Sequence, residues 1–145
     1  KIVLLVAAAL ALGNALQLTG GAEFVADQLL AATRGAPAPV ILSLFFLIVA
    51  VFTNVLSNNA CAVLFTPIGI GMAQNLGVEP HIFAIAVVMA ANCSFASPVG
   101  YQTNLLVMGP GHYRFVDFLR AGTPLIIILW LAFSLFAPWY YDIPF

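Results

Sequence analysis

The feature that most constrains this chain is the near absence of charge from its middle. Between Arg34 and Arg114 the only charged residue is Glu79, and the sequence on both sides of it is long and apolar. Over all 145 residues, 63% are hydrophobic and 6% are charged, with a mean hydropathy of +1.10. Soluble domains are about one quarter charged. The sequence therefore predicts an all-α integral membrane protein and gives no reason to expect nucleic-acid binding.

The first 35 residues predict a membrane span followed by a surface helix. The apolar run over 2–18 is close to the ~20 residues that cross a hydrocarbon core, and it lacks the basic start and the cleavage site of a signal peptide. Residues 22–33 alternate between an apolar and an acidic side with helical spacing. The apolar side holds Phe24, Val25, Leu29 and Leu30, and the other side holds Glu23 and Asp27. Such a helix is expected to lie along the membrane interface.

Residues 38–76 consist of two apolar flanks around a polar centre. The flanks, 40–52 and 60–73, are each shorter than a full crossing, and the centre reads Thr-Asn-Val-Leu-Ser-Asn-Asn over 53–59. Non-helical backbone survives at membrane depth only where protein or a watery cavity satisfies its polar groups. We therefore predict a re-entrant helical hairpin over 38–76. The alternative is two tilted spans joined by a polar loop outside the membrane.

A second polar interruption lies within 80–110. An apolar run over 81–92 stops at the polar segment 94–104, which contains Pro98 and Gly100, and apolar sequence resumes after it. Because proline lacks an N–H group and disfavours helical backbone in the residue before it, we predict one helix broken near the middle of the membrane.

A short polar connection and a final span follow the broken helix. The connection carries Arg114, Asp117 and Arg120. The final span over 122–141 ends in an aromatic cluster, Trp-Tyr-Tyr, which is typical of a membrane interface.

The two polar breaks have the chemistry of a binding site. The first break offers Thr53, Ser57, Asn58 and Asn59, and the second offers Ser97, Thr103 and Asn104. Transporters commonly use discontinuous helices in this way, with freed N–H groups facing an anion and carbonyl groups facing a cation. Polar side chains in membrane helices also bond to neighbouring helices without any ligand. Their clustering in two helix-breaking segments favours the binding site.

Neither break contains Lys, Arg, Asp or Glu. A proton relay would normally use an intramembrane carboxylate or histidine, so this part of the protein favours sodium over protons as the coupling ion. His81 and His112 lie at span ends, where interfacial roles are usual. Cys61 and Cys93 lie in apolar runs and are expected to be buried free thiols. The spans lack paired carboxylates and nucleophile–base patterns, so we do not expect an enzyme.

The segment Thr53-Asn54-Val55-Leu56-Ser57-Asn58-Asn59-Ala60, followed by Ala96-Ser97-Pro98 and Asn104, resembles the second repeat of the divalent anion:sodium symporter family. That family includes sodium-coupled sulfate and dicarboxylate carriers, and its signature is a Ser-Asn-Thr triplet at each hairpin tip plus a proline turn in a broken helix. The resemblance spans most of the chain. It implies that residues 36–145 are half of an inverted-repeat transport domain, completed by an N-terminal repeat of the same protein in a homodimer.

The resemblance also implies particular ligands. Sodium would be surrounded by Thr53, Ser57 and Asn58 with backbone carbonyls near Ala96, and the anion site would be lined by Asn58, Asn59, Ser97 and Pro98. Two departures leave the anion open between sulfate and a dicarboxylate: Asn59 stands where the family usually has Thr, and the turn over 98–104 is longer than the usual Pro-Pro-Asn.

We therefore predict sodium-coupled secondary transport of a small divalent anion by the whole protein. The segment Gly-Tyr-Gln-Thr-Asn over 100–104 resembles the corresponding sequence of bacterial permeases of the family. This resemblance predicts that the protein resides in a bacterial inner membrane. The alternative function is a membrane scaffold or assembly subunit that transports nothing.

Overall fold

A computed structural model describes residues 11, 15, 18–33, 35–141 and 143 of the chain. The predicted first span over 2–18 therefore lies outside the described residues apart from three positions. All regular structure in the described part is helical. The helices are α1 (Gly21–Thr33), α2 (Ala38–Phe52), α3 (Asn58–Leu76), α4 (Pro80–Ala91), α5 (Gln102–Met108) and α6 (Phe115–Tyr140).

Local sequence explains most helix ends. Pro39 and Pro80 lie in the first turns of α2 and α4, where a missing N–H costs no helical hydrogen bond. Gly77 closes α3 in the left-handed conformation, with φ of 67°. The polar segments 53–57 and 92–101 separate α2 from α3 and α4 from α5, which are the two interruptions expected from the sequence.

Helices α2 and α4 run side by side in the same direction. The rings of Phe45 and Phe83 lie 5.6 Å apart between centroids, and eight residues later Thr53 Oγ1 lies 2.6 Å from the carbonyl oxygen of Ala91. Phe45 also meets Phe65 of α3 edge to face, at 6.2 Å. These buried rings form the centre of the core and bring the ends of α2 and α4 to the same level.

Helix α6 runs in the opposite direction along this core. Its last residues lie at the start of α4, where the rings of Tyr141 and His81 are 5.6 Å apart. Its first turns lie beside the second break, where a side chain at Gly122 would collide with the backbone of Phe95. Midway, the ring of Phe133 stacks on Phe46 at 4.5 Å.

A polar contact also joins α2 and α6 within this apolar interface. Trp130 Nε1 donates to Ser43 at 3.0 Å, and the hydroxyls of Ser43 and Ser134 are 2.6 Å apart. Hydrogen bonds of this kind are usual between membrane helices.

Helix α6 is the one helix in the described part that is long and apolar enough to cross a membrane. Its 26 residues correspond to about 39 Å of helix. It begins at Phe115, seven residues before the predicted span over 122–141. The reason is that Asp117 Oδ2 accepts the N–H of Arg114 at 2.8 Å, which places the expected polar connection inside the first turns of the helix.

Helix α1 packs through Ala26, with Leu29 and Leu30 of the predicted apolar side partly buried beside it, and leaves Phe24 and Val25 exposed. Ala26 is fully buried and faces Gly71 of α3, whereas Phe24 is 64% exposed. Asp27 accepts a hydrogen bond of 3.0 Å from Asn75 Nδ2 at the end of α3. Small residues permit close approach of two helices, and Ala26 and Gly71 lie at the centre of this contact.

Candidate functional site

The two polar segments, 53–57 and 92–101, pack directly against each other. Gly100 is buried, and a Cβ at this position would collide with the carbonyl oxygen of Thr53 and lie 3.2 Å from the Cα of Asn54. The residue therefore has to be glycine for the backbones to approach this closely. We call the two segments together the paired break.

Thr53 is fully buried at the centre of the paired break. Its Oγ1 donates to the carbonyl oxygen of Ala91 at 2.6 Å and lies 3.0 Å from Asn58 Oδ1. A threonine hydroxyl has one hydrogen, and the shorter contact to Ala91 takes it. The Thr53 hydroxyl, the Ala91 carbonyl and the Asn58 amide oxygen thus lie close together, and neutral oxygens of this kind can ligate a hard cation.

The first turn of α3 faces the same region. Ser57 Oγ accepts the N–H of Ala60 at 3.3 Å, which caps the helix. Asn58 is half-buried, while Ser57 and Asn59 are exposed. The remaining free N–H groups of this turn and the partial positive charge of the helix end favour a negative ligand.

The second segment is folded by its own polar side chains. Ser97 is buried and its Oγ accepts the N–H of Val99 at 3.1 Å. Asn104 Nδ2 donates to the carbonyl oxygens of Ser94 at 2.9 Å and Ser97 at 3.2 Å. Both amide hydrogens of Asn104 are therefore used to hold the loop, and only its side-chain oxygen is left for other partners.

A cavity of about 320 Å³ opens beside the second segment, lined by Phe95, Asn104, Asp117, Gly122 and other residues of α6. Asp117 is the one charged residue of its lining. In the described ranges no group of three His, Cys, Asp or Glu residues lies close enough to bind a metal.

The structure brings some of the predicted site residues together and leaves others apart. Thr53 lies against Asn58, and Ala96 reaches the same region through the side chain of Asn54. Ser97 is linked to Asn104 instead. Pro98 is buried, whereas Asn59 and Thr103 are exposed, and in the described part no hydrogen bond joins these two to the rest.

Comparison with known proteins assigns the chain to a family. A family profile described as "Citrate transporter" matches residues 1–143. The chain belongs to the citrate transporter family. The resemblance expected from the sequence is confirmed, since the relatives of this family member include sodium/sulfate and sodium/citrate cotransporters.

An uncharacterized transporter of Synechocystis, sll0640, is 45% identical over 131 residues, which are 90% of this chain and 21% of the relative. The Na(+)/citrate cotransporter of Rattus norvegicus is 33% identical over 129 residues, 88% of this chain and 22% of the relative. Sodium/sulfate cotransporter 1 of Chlamydomonas reinhardtii is 30% identical over 122 residues, 83% of this chain and 14% of the relative. The family member described here thus spans about a fifth or less of the length of these relatives.

Two residues of this citrate transporter family member matter at the site although the sequence did not single them out as ligands. Asn54 lies in the first segment and bonds to Cys93 and Ala96 of the second, and Gly100 allows the contact of the two segments. The position of Asn54 inside a polar, helix-breaking segment was the available signal. Its partners lie about forty residues away in the sequence, so spacing alone did not indicate them.

Proposed function

We propose that this chain is part of the C-terminal repeat of a sodium-coupled carrier of small multivalent anions of the sulfate or carboxylate class. The observation that carries the proposal is the paired break, in which two unwound segments meet among apolar helices and collect uncharged oxygens beside a helix N-terminus. Discontinuous helices with this chemistry form the binding sites of secondary transporters. The names of the relatives, for sulfate and for citrate, agree with the anion class.

The length of α6 supports a location of the paired break inside the membrane. Gly122, which touches the second segment, lies about 10 Å of helix after Phe115 and about 27 Å before Tyr140. A helix of this length crosses the ~30 Å hydrocarbon core. With α6 centred across that core, Gly122 would lie just inside one of its faces, and we propose that the paired break lies at that depth as the tip of a re-entrant hairpin over 38–76.

The sodium ion would be held by oxygens at the base of the hairpin tip. Thr53 Oγ1 and the side chain of Asn58 lie closest together, and Ser57 and the carbonyl of Ala96 complete the proposed set. The absence of a carboxylate from both segments favours sodium over a proton, because a proton needs a titratable partner at that depth.

The anion would be bound by neutral donors and by the first turn of α3. Asn58 and Asn59 lie in that turn, and the proposed partners from the second segment are Ser97, Pro98, Thr103 and Asn104. With no Lys or Arg in either segment, the helix dipole and the co-bound cation would balance the negative charge. This arrangement would couple anion binding to sodium binding, since each ligand lowers the electrostatic cost of the other.

The whole carrier would need more than this chain. We propose that an N-terminal inverted repeat of the same protein supplies the other half of the cavity, that the carrier is a homodimer, and that it resides in a bacterial inner membrane. We also propose an interfacial position for α1, whose middle contacts the C-terminal end of α3 through Asp27 and Asn75.

The test is uptake by the full-length protein in proteoliposomes. Labelled sulfate, succinate and citrate are offered with an inward gradient of sodium or of choline, and sodium-dependent uptake of at least one anion is expected. Uptake of none of them, or uptake that is equal in both gradients, would contradict the proposal.

A pair of variants separates the site from the scaffold. Asn58→Ala removes an amide beside Thr53 and is expected to abolish uptake, whereas Asn75→Ala removes the same side chain at the opposite end of α3 and is expected to leave uptake within about twofold of wild type. Uptake by Asn58→Ala that equals the near wild-type uptake of Asn75→Ala would show that the Asn58 side chain does not bind the ligands.

A further inference from the structure

Asn54 makes more connections between the two segments than any other side chain described in the paired break. Its Nδ2 donates to the carbonyl oxygen of Ala50 at 2.7 Å and to that of Cys93 at 3.2 Å. Its Oδ1 accepts the N–H of Ala96 at 2.9 Å. Both amide hydrogens and the oxygen are thus engaged.

Two of these bonds hold one short stretch of the second segment. Cys93 and Ala96 are three residues apart, and the amide of Asn54 bonds to the carbonyl of the first and the N–H of the second. A planar amide that donates and accepts in this way fixes the path of the backbone between them. A residue just after α2 therefore sets the conformation of residues 93–96, which connect α4 to α5.

The peptide between Phe95 and Ala96 also lies against α6. A Cβ at Gly122 would collide with the carbonyl group of Phe95 and the nitrogen of Ala96, so the peptide lies directly against that glycine. Asn54 bonds to the N–H of this peptide. Because a peptide unit is planar, the hydrogen bond at its N–H and the packing against Gly122 together restrict its orientation.

We propose that Asn54 is a positioning residue for the sodium site: it holds the 93–96 backbone beside Thr53 and Asn58, so that the carbonyl groups of this stretch, the proposed ligand at Ala96 among them, can face the ion. This inference rests on the proposed function, and it adds a residue that need not touch sodium or the anion. Asn54 follows Thr53 directly in the chain, so the same turn supplies a ligand and the group that orients the opposite ligand.

The chain offers a matched control at Asn92. Asn92 Nδ2 donates to the carbonyl oxygen of Val88 at 2.7 Å, which is the same bond to the fourth preceding residue that Asn54 makes to Ala50. Asn92 is exposed and makes no hydrogen bond across the paired break among the described residues. Asn92→Ala thus removes the local bond alone, and Asn54→Ala removes the local bond plus the two bonds to residues 93 and 96.

The experiment measures sodium-dependent uptake and sodium-dependent thermal stabilisation of the full-length protein for wild type, Asn54→Ala, Asn54→Gln and Asn92→Ala. Loss of the two connecting bonds is expected to raise the half-saturating sodium concentration of Asn54→Ala about tenfold. Maximal uptake at saturating sodium should stay within about threefold of wild type, because the ligands themselves remain. Asn92→Ala is expected to retain the wild-type value.

Asn54→Gln keeps the donor and the acceptor on a side chain one methylene longer, so it is expected to give an increase of about threefold. If Asn54→Ala does not fold, the half-saturating sodium concentration of Asn54→Gln tests the proposal instead. The stabilisation by sodium chloride over choline chloride should fall in the same order as the uptake affinities.

Two results would overturn the assignment: folded Asn54 variants with wild-type sodium dependence, or a loss of maximal uptake with unchanged half-saturating sodium, which is the signature of a structural role. If wild type itself shows neither sodium-dependent uptake nor sodium-dependent stabilisation, the proposed function and this inference both fail. If wild type depends on sodium and only the Asn54 result differs, this inference fails alone.

Discussion

Replacing Gly100 by alanine tests the contact between the two polar segments most directly. The backbone of Gly100 is not in the left-handed region, so alanine carries no conformational penalty there and the effect is steric. The added methyl group would collide with the carbonyl oxygen of Thr53 and lie 3.2 and 3.3 Å from the Cα and carbonyl carbon of Asn54. All three atoms are backbone and cannot rotate away.

Overpacking of a well-packed interior costs about 1–3 kcal/mol. We expect the upper end of that range for Gly100→Ala, about 3 kcal/mol, because the backbone of the first segment has to move. That movement also disturbs the bond from Thr53 Oγ1 to Ala91 and the contact with Asn58. The variant should therefore lose stability and at least tenfold in uptake together.

The assay is denaturant unfolding of the full-length protein in detergent, with uptake measured in parallel. Gly109→Ala is the control, because it is the same change at a helical position with φ of -67° and no atom within 4 Å of the added methyl group. It should be neutral or stabilise by up to about 1 kcal/mol. If the two variants unfold within about 0.5 kcal/mol of each other, the segments do not pack as described and the reasoning is refuted.

Two further changes test other contacts. Trp130→Phe removes the indole donor to Ser43 and keeps the aromatic bulk. The free energy of unfolding should drop by about 1 kcal/mol in the same denaturant assay. An unchanged value would mean that this bond adds nothing to the α2–α6 contact. Ser57→Ala removes the cap on the N–H of Ala60 and should cost about 1 kcal/mol of stability, with Ser57→Asp as the capping control that should recover most of it.

The elements of this fold follow from local sequence because their causes are local. Prolines at helix starts, Gly77 at a helix end and polar runs that interrupt apolar ones act through neighbouring residues, so the helices and both interruptions could be predicted. Helix α6 begins at Phe115, ahead of the span predicted over 122–141, for a local reason too. A carboxylate at Asp117 that accepts the N–H of Arg114 begins a helix, although charges next to a span resemble a loop.

The packed faces could not be predicted in the same way. Helix α1 buries Ala26 against Gly71 of α3 and partly buries Leu29 and Leu30, but it exposes Phe24 from the same predicted apolar side. In a membrane, large apolar residues gain as much from lipid as from protein, so hydrophobicity does not identify the side that faces another helix.

The sequence by itself determined that the chain is helical, apolar and interrupted twice by neutral polar segments. The reason is that residue type decides where a backbone can be helical, and composition decides whether the side chains are stable in lipid. Only the tertiary structure decided that the two interruptions touch, that Asn54 ties them together and that Gly100 and Gly122 make room for the contact. These contacts join residues that are distant along the chain, and the side-by-side packing of α2, α4 and α6 brings their atoms together.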